Sequence, residues 1–323
     1  MRGAWFDTET MKRARLARWP TIVIALGVIA IGLAAFARPD PEPLLATDDG
    51  YIEPRPVSIA GYAGDAMEPF LTRDGRWLLF NTRNGPKDQT DLMVARRTDD
   101  TNFTFVGPIA GANSGSLDGV ASVDRSGHFF FVSNRDYDRS GNTLWTGSFA
   151  DGQVRDARPL VTDFTPKKLL RLNIDLEVSA DGNELYVAEN RWDLFRRRPA
   201  SSHLAVANRA ISATGQPLFV RRADSDALFA ALRSSALDYA PTTSSDRLTL
   251  YFTRWQAGRL DAVPRILVSR RATTASAWGS PRLLAAAIGF VEGPTVTPDG
   301  CGILYHAKVG EAYRLFFIRK KAC

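Results

Sequence analysis

Residues 293–308 read GPTVTPDGCGILYHAK: a short run, an Asp-Gly turn, and a β-rich run that closes on a basic residue. Four more segments share this layout: EPFLTRDGRWLLFNTR (68–83), VASVDRSGHFFFVSNR (120–135), DLEVSADGNELYVAENR (175–191) and APTTSSDRLTLYFTR (240–254). The closing bases Arg83, Arg135, Arg191, Arg254 and Lys308 are spaced by 52, 56, 63 and 54 residues. A period near 50 built on paired strands is the signature of a β-propeller, in which each repeat supplies one blade. Aromatic and β-branched runs such as WLLF, HFFFV and LTLYF flank each turn, as the strands of a tight hairpin require.

A third run follows each hairpin: DLMVARR (91–97), TLWTGSF (143–149), SHLAVANR (202–209), RILVSRR (265–271) and YRLFFIRK (313–320). A fourth, weaker run completes most units: FTFVGPIA (103–110), ARPLVTD (157–163), QPLFVRR (216–222) and PRLLAAA (281–287). The last unit lacks a fourth run, and YIEPRPVSIA (51–60) has the character of the missing strand. The expected fold is therefore an all-β, five-bladed propeller of four-stranded antiparallel blades, closed by an N-terminal strand that removes the open edges. A six-bladed ring is the alternative. SDALFAALRSS (225–235), in the long third unit, predicts a short helical insertion between blades 3 and 4.

The composition of the 323 residues, 45% hydrophobic and 24% charged, excludes both disorder and a polytopic membrane protein. The net charge of +6 is concentrated at the N-terminus, and residues 38–323 hold 36 basic against 33 acidic residues. That near-balance gives no reason to expect a nucleic-acid binder. Residues 21–37, TIVIALGVIAIGLAAFA, are uncharged, follow a basic segment and precede RPDPEP. As a helix they would reach roughly 26 Å, just enough to cross a bilayer, while Ala35-Phe36-Ala37 fits a signal-peptidase site. Residues 1–37 thus read as a signal peptide or a membrane anchor, 38–50 as a linker and 51–323 as the propeller. Either N-terminal reading puts the propeller outside the cytoplasm: periplasmic, secreted or anchored to the inner membrane.

The repeat resembles the TolB-type, WD-like propeller family, whose unit runs acidic-x-x-P, S-P-D-G and then an aromatic strand ending in S-x-R. The closest copies are VEGPTVTPDG (291–300), LDYAPTTSSD (237–246) and MEPFLTRDG (67–75), and the resemblance spans about residues 60–320. It implies an exported propeller of the cell envelope. Blade 2 has DRSG and blade 4 has SSDR in place of the Asp-Gly turn, so those two turns are expected to be built differently. Fewer than 30 residues separate the export element from the first repeat, too few for the extra N-terminal domain of TolB itself.

A carboxylate sits near the start of each inner strand: Glu68, Asp118, Asp175, Asp238 and Glu292. Paired with Arg83, Arg135, Arg191, Arg254 and Lys308, these acids make either an ion pair within each blade or a polar ring that binds a ligand at the channel mouth. Tyr137, Trp192 and Trp255 follow three of the bases and could stack on a sugar or hold a peptide there. The envelope partner is expected to be a protein, a peptide or a glycan, and the chain is expected to act as a non-catalytic binding or scaffold module.

The alternative is a carbohydrate-active hydrolase using two of Glu68, Asp118, Asp175, Glu177, Asp238 and Glu292. A neighbouring base lowers a carboxyl pKa, which works against a general acid. The scattered histidines His128, His203 and His306 suggest no metal site, and nothing in the sequence calls for a cofactor. Cys301 and Cys323 fall at the same end of the last blade and are expected to form a disulfide in an oxidising compartment.

Overall fold

The computed structural model describes residues 45–84, 90–164, 171–193, 198–212, 217–256 and 262–323. Residues 1–37, read as the export element, lie outside them. Among the described residues no helix is long and apolar enough to cross a membrane.

Each repeat folds into antiparallel strands laid down in sequence order from the axis outward, and a parallel bridge between Ser202 and Leu237 joins the third and fourth repeats into one nine-stranded sheet. Blade 1 is Met67–Leu71, Trp77–Asn81, Leu92–Arg97 and Asn102–Pro108, and blade 2 is Asp118–Val123, His128–Ser133, Leu144–Ala150 and Gln153–Pro159. Blade 3 is Arg171–Val178, Glu184–Asp193, Arg198–Ile211 and Pro217–Arg221, and blade 4 is Leu237–Thr243, Thr249–Trp255, Arg265–Arg270 and Arg282–Leu284. Blade 5 has Val291–Val296, Gly302–Val309 and Ala312–Arg319, and its fourth strand is Arg55–Pro56, antiparallel to the last, with Arg55 opposite Phe317. The chain is a β-propeller whose N-terminal strand completes the C-terminal blade.

The ring is held by apolar layers between neighbouring blades. Phe70 and Leu79 meet Phe129 and Phe131 between blades 1 and 2. Phe130 and Val132 meet Val178 and Val187 between blades 2 and 3, and Tyr186 and Val206 meet Leu250 and Phe252 between blades 3 and 4. Tyr251 and Val268 meet Ile303 and Tyr305 between blades 4 and 5, and Leu304 and Phe317 meet Leu78 and Phe80 to close the circle. Each blade is therefore apolar on both faces, which is why its middle strands read as continuous hydrophobic runs instead of alternating ones.

Thr47–Asp48, inside the stretch expected to be a linker, lie parallel to Leu283–Leu284 at the edge of blade 4, with Asp48 paired to Arg270 at 2.6 Å. Ser58–Ala60 cover the edge of blade 1 in the same parallel manner. The predicted insertion is present as two short helical turns, Ser225–Leu228 and Ala230–Leu232. Cys301 and Cys323 form the expected disulfide, with their Cα atoms 5.7 Å apart.

The turn of blade 2 is built differently, as expected, and that of blade 4 is a correction. All five hairpin turns begin alike, the fourth residue donating its N–H to the carbonyl of the first: Gly75 to Thr72, Gly127 to Asp124, Gly182 to Ser179, Arg247 to Ser244 and Gly300 to Thr297. In blades 1, 3, 4 and 5 the first residue's own N–H reaches the carbonyl five residues on, whereas in blade 2 Asp124 N–H reaches His128 O four residues on, so that loop is one residue shorter. In blade 2 the Asp124 carboxylate replaces the usual hydroxyl, accepting from Ser126 N–H at 2.8 Å and His128 N–H at 2.9 Å. In blade 4 Arg247 adopts the left-handed φ of 61° that glycine takes elsewhere. Asp246 holds that turn by accepting from Ser244 Oγ and Leu248 N–H.

Every inner strand also carries a bulge at the same level, two residues against one on its neighbour: Glu68-Pro69, Val120-Ala121, Ile174-Asp175, Ala240-Pro241 and Gly293-Pro294. The first residue is left-handed in four of them, with φ of 48° at Glu68, 53° at Val120, 48° at Ala240 and 62° at Gly293. In each of the four its N–H reaches a polar side chain on the preceding blade. Val120 donates to Asn81 Oδ1, Ala240 to Asp175 Oδ2, Gly293 to Thr253 Oγ1 and Glu68 to His306 Nδ1. The exception is blade 3, where the equivalent neighbour on blade 2 is Val132, which offers no acceptor. The strain of a left-handed non-glycine residue is thus offset by a hydrogen bond between blades, and it is absent where no such bond can form.

Candidate functional site

The bulges bring the inner strands together at mid-channel, where a cavity of only about 30 Å³ remains. Below it, on the hairpin-turn side, Arg73 of blade 1 crosses to blade 3 and pairs with Glu177 at 3.3 Å, both side chains 4% exposed. Arg73 also donates to Val178 O at 2.7 Å and lies over the Phe70 ring, while Glu177 accepts from Thr243 N–H of blade 4 at 2.9 Å. Burial pushes the Glu177 carboxyl up against the opposing pull of the Arg73 guanidinium.

Above that plug lies a buried polar cluster drawn from four blades. Tyr239 of blade 4 donates its hydroxyl to Glu292 Oε1 of blade 5, and Glu292 Oε2 lies 3.2 Å from His306 Nε2 on the next strand. In its neutral form His306 accepts Glu68 N–H of blade 1 at Nδ1, leaving the Nε2 hydrogen for Glu292. Glu68 Oε2 is packed against Gly293, where an added Cβ would stand 2.5 Å from it, so glycine leaves room there for the buried carboxylate. Asp175 of blade 3 completes the cluster and is fully buried. Burial, and then the neighbouring Glu68, raise its carboxyl well above the ordinary range. Burial and the adjacent Glu292 likewise push Tyr239 well up. Burial would lower His306, but Glu68 and Glu292 outweigh it and the net shift is upward. Among the described residues no group of three acids, histidines or cysteines is arranged to hold a metal ion.

The five expected acid–base pairs divide. Asp118 pairs with Arg135 and Asp238 with Arg254, the latter through two bonds of 2.7 and 2.8 Å. Arg83 instead pairs with Asp65, and Lys308 with Glu311 at 3.3 Å, while Arg191 makes no ion pair among the described residues. Glu68, Asp175 and Glu292 are the acids drawn into the buried cluster, so no single repeated ion pair runs around the ring. Trp192 is 6% exposed and packs in the apolar layer between blades 3 and 4, where the half-buried Trp255 joins it and donates to Ala262 O. Tyr137 is half-buried at the start of the turn of helix Tyr137–Ser140.

Two wider recesses open on the surface. One of about 500 Å³ lies between blades 1 and 2 on the hairpin-turn face, beside Trp77, Arg76 and Arg125. The other, about 280 Å³, lies on blade 3 at the opposite face, around Arg191, Asn190 and His203.

No protein-family model matches this sequence, and no curated protein resembles it. Solved structures do. Zg3597, a family 117 glycoside hydrolase from Zobellia galactanivorans, aligns with 84% of this chain and 92% of its own at 8% identity and a TM-score of 0.50. TolB from Acinetobacter baumannii aligns with 80% of this chain at 12% identity and a TM-score of 0.42, and the alignment spans 55% of that TolB structure. XC5397 from Xanthomonas campestris, described as a gluconolactonase, aligns at 19% identity over 88% of this chain and 89% of its own, with a TM-score of 0.44. At these identities the likeness is one of fold alone.

Proposed function

We propose that this chain is an exported, TolB-like propeller that serves as a non-catalytic binding or scaffold module of the cell envelope, held by residues 21–37 where that segment is not removed. The observation that carries this reading is how little space the channel leaves beside its acids. A glycosidase needs two carboxylates facing a space that admits a sugar ring. Here Glu68, Asp175 and Glu292 are 5% exposed or less, Tyr239 and His306 both engage Glu292, and the cavity of about 30 Å³ bordered by Glu68 has room for about one water. Glu177 is spent on Arg73, and Asp118 and Asp238 on their own blades' arginines. The Cys301–Cys323 disulfide supports an oxidising compartment. The test is incubation of the intact protein with a panel of neutral and acidic aryl glycosides and oligosaccharides. No release of product is expected, and turnover abolished by Glu292→Gln in a folded protein would replace this reading with the hydrolase.

A further inference from the structure

We propose that the blade 3 recess is a binding site for a small anionic ligand bearing hydroxyl groups, such as a sugar acid or a sugar phosphate. The inference rests on the binding-module reading above and names the ligand class and its location. The recess of about 280 Å³ is large enough for one sugar ring.

Its charge is unbalanced. Arg171 and Arg191 face each other across adjacent strands, an arrangement that costs energy unless an anion lies between or above them. Neither side chain makes a hydrogen bond or ion pair among the described residues, and both residues are exposed at the rim. The other two arginines of the recess are already matched. Arg221 pairs with Glu189 at 3.2 Å and with Asp226 at 2.9 Å, and Arg233 also pairs with Asp226. A planar anion accepting from two guanidinium groups is the partner that Arg171 and Arg191 lack.

The floor supplies the second, independent observation. Asn173, 2% exposed, donates from Nδ2 to Phe164 O but leaves Oδ1 unpartnered, and half-buried His203 leaves Nδ1 unpartnered. Two unpaired polar atoms on the sheet face that carries Arg171 and Arg191 are costly in a folded protein and mark a place where a ligand supplies the missing partners. Asn173 Oδ1 calls for a donor and His203 Nδ1 for a donor or an acceptor, a demand that hydroxyl groups meet because each can both give and accept. Burial and then the Arg233 charge hold the His203 pKa down, so its imidazole remains neutral and can offer either role.

The experiment is titration calorimetry on the whole exported chain with four probes: glucuronate, glucose 6-phosphate, glucose and inorganic phosphate. Glucuronate or glucose 6-phosphate is expected to bind at least about tenfold more tightly than glucose or inorganic phosphate, and which of the two binds identifies the anion. Arg191→Ala, at an exposed position, is expected to weaken that binding about tenfold or more while leaving the melting temperature unchanged. Asn173→Ala is expected to weaken it comparably. Equal binding of glucose, equal binding of inorganic phosphate, no binding of either sugar anion, or binding indifferent to both substitutions overturns the proposal. Chromatography of a uronate oligosaccharide after incubation separates the two readings. Cleavage that survives Arg191→Ala defeats the non-catalytic reading alone, whereas loss of binding specificity without cleavage defeats the recess alone.

Discussion

Glu177→Leu strands a charge at the axis of the ring. The substitution removes the carboxylate from Arg73, whose side chain is 4% exposed and whose Nε is already unpartnered among the described residues, leaving Val178 O as its recorded acceptor. It also removes the acceptor of Thr243 N–H. Breaking one side of a buried pair costs about 3–5 kcal/mol, and an orphaned buried donor about 1–3 kcal/mol more. Arg73 also borders the 500 Å³ recess and can swing toward water, so the lower end, about 4 kcal/mol, is the expected loss. At roughly 2 °C per kcal/mol for a domain of more than 200 residues, the melting temperature falls by about 8 °C. The double variant Arg73→Met/Glu177→Leu removes the stranded charge and retains only the orphaned donor, so it recovers to within about 1–3 kcal/mol of the parent. Thermal melts followed by circular dichroism, with denaturant titrations for the free energies, check both. A single variant within about 1 kcal/mol of the parent, or a double variant as unstable as the single, would refute the account of Arg73–Glu177 as the plug that ties blades 1, 3 and 4.

Three further outcomes follow from the same structure. Asp175 has its carboxyl raised above the unfolded value, so its contribution to stability is complete below about pH 4 and is lost as pH rises through the folded value. Asp175→Asn should therefore flatten the fall in melting temperature between pH 5 and pH 8, and parallel profiles for parent and variant would reject the assignment. Thr253→Val keeps the shape of the side chain but removes the acceptor of Gly293 N–H, and should cost about 1–3 kcal/mol by denaturant titration, with no loss meaning that the interblade bond contributes nothing. Reducing Cys301–Cys323, which closes a 22-residue separation, should cost about 3 kcal/mol, read as a lower melting temperature in dithiothreitol that Cys301→Ser/Cys323→Ser reproduces.

The blade pattern is legible in the chain because each repeat solves the same local problem: a turn, two apolar strands and a basic stop. The closing strand at Arg55–Pro56 and the insertion at Ser225–Leu228 can be read for the same reason, one as a missing run and the other as surplus length. Register at the channel is harder. Counted outward from Val123 opposite Phe129, Asp118 would face Asn134, but the Val120-Ala121 bulge moves it to Ser133. The same one-residue step puts Glu292 opposite His306 and hides the histidine's role from any count that assumes a regular ladder. Nothing local in Val120 or Ala240 announces a positive φ, since the acceptors that stabilise it, Asn81 and Asp175, lie on a different blade. The turn of blade 4 deceives in the opposite way, because Arg247 takes the backbone path that glycine takes in blades 1, 3 and 5.

Blade 3 is where regularity fails and where the recess lies, and the two are connected. Val132 on blade 2 offers no acceptor, so the Ile174-Asp175 bulge of blade 3 is not drawn into the left-handed form found on the other four blades. The residue just before that bulge is Asn173, where the other blades have Met67, Gly119, Tyr239 and Glu292, and its Oδ1 is left without a partner among the described residues. A propeller stabilised chiefly by its apolar layers tolerates one polar, imperfectly satisfied blade at little risk to the fold. Replacing Val132 with Asn should test this directly. If the missing acceptor is what keeps blade 3 irregular, Val132→Asn gives Ile174 N–H a partner, and backbone amide exchange at Ile174 and Asp175 slows by about tenfold, corresponding to one net hydrogen bond. Unchanged exchange in a folded variant would mean that the irregularity of blade 3 originates in its own residues and not in its neighbour.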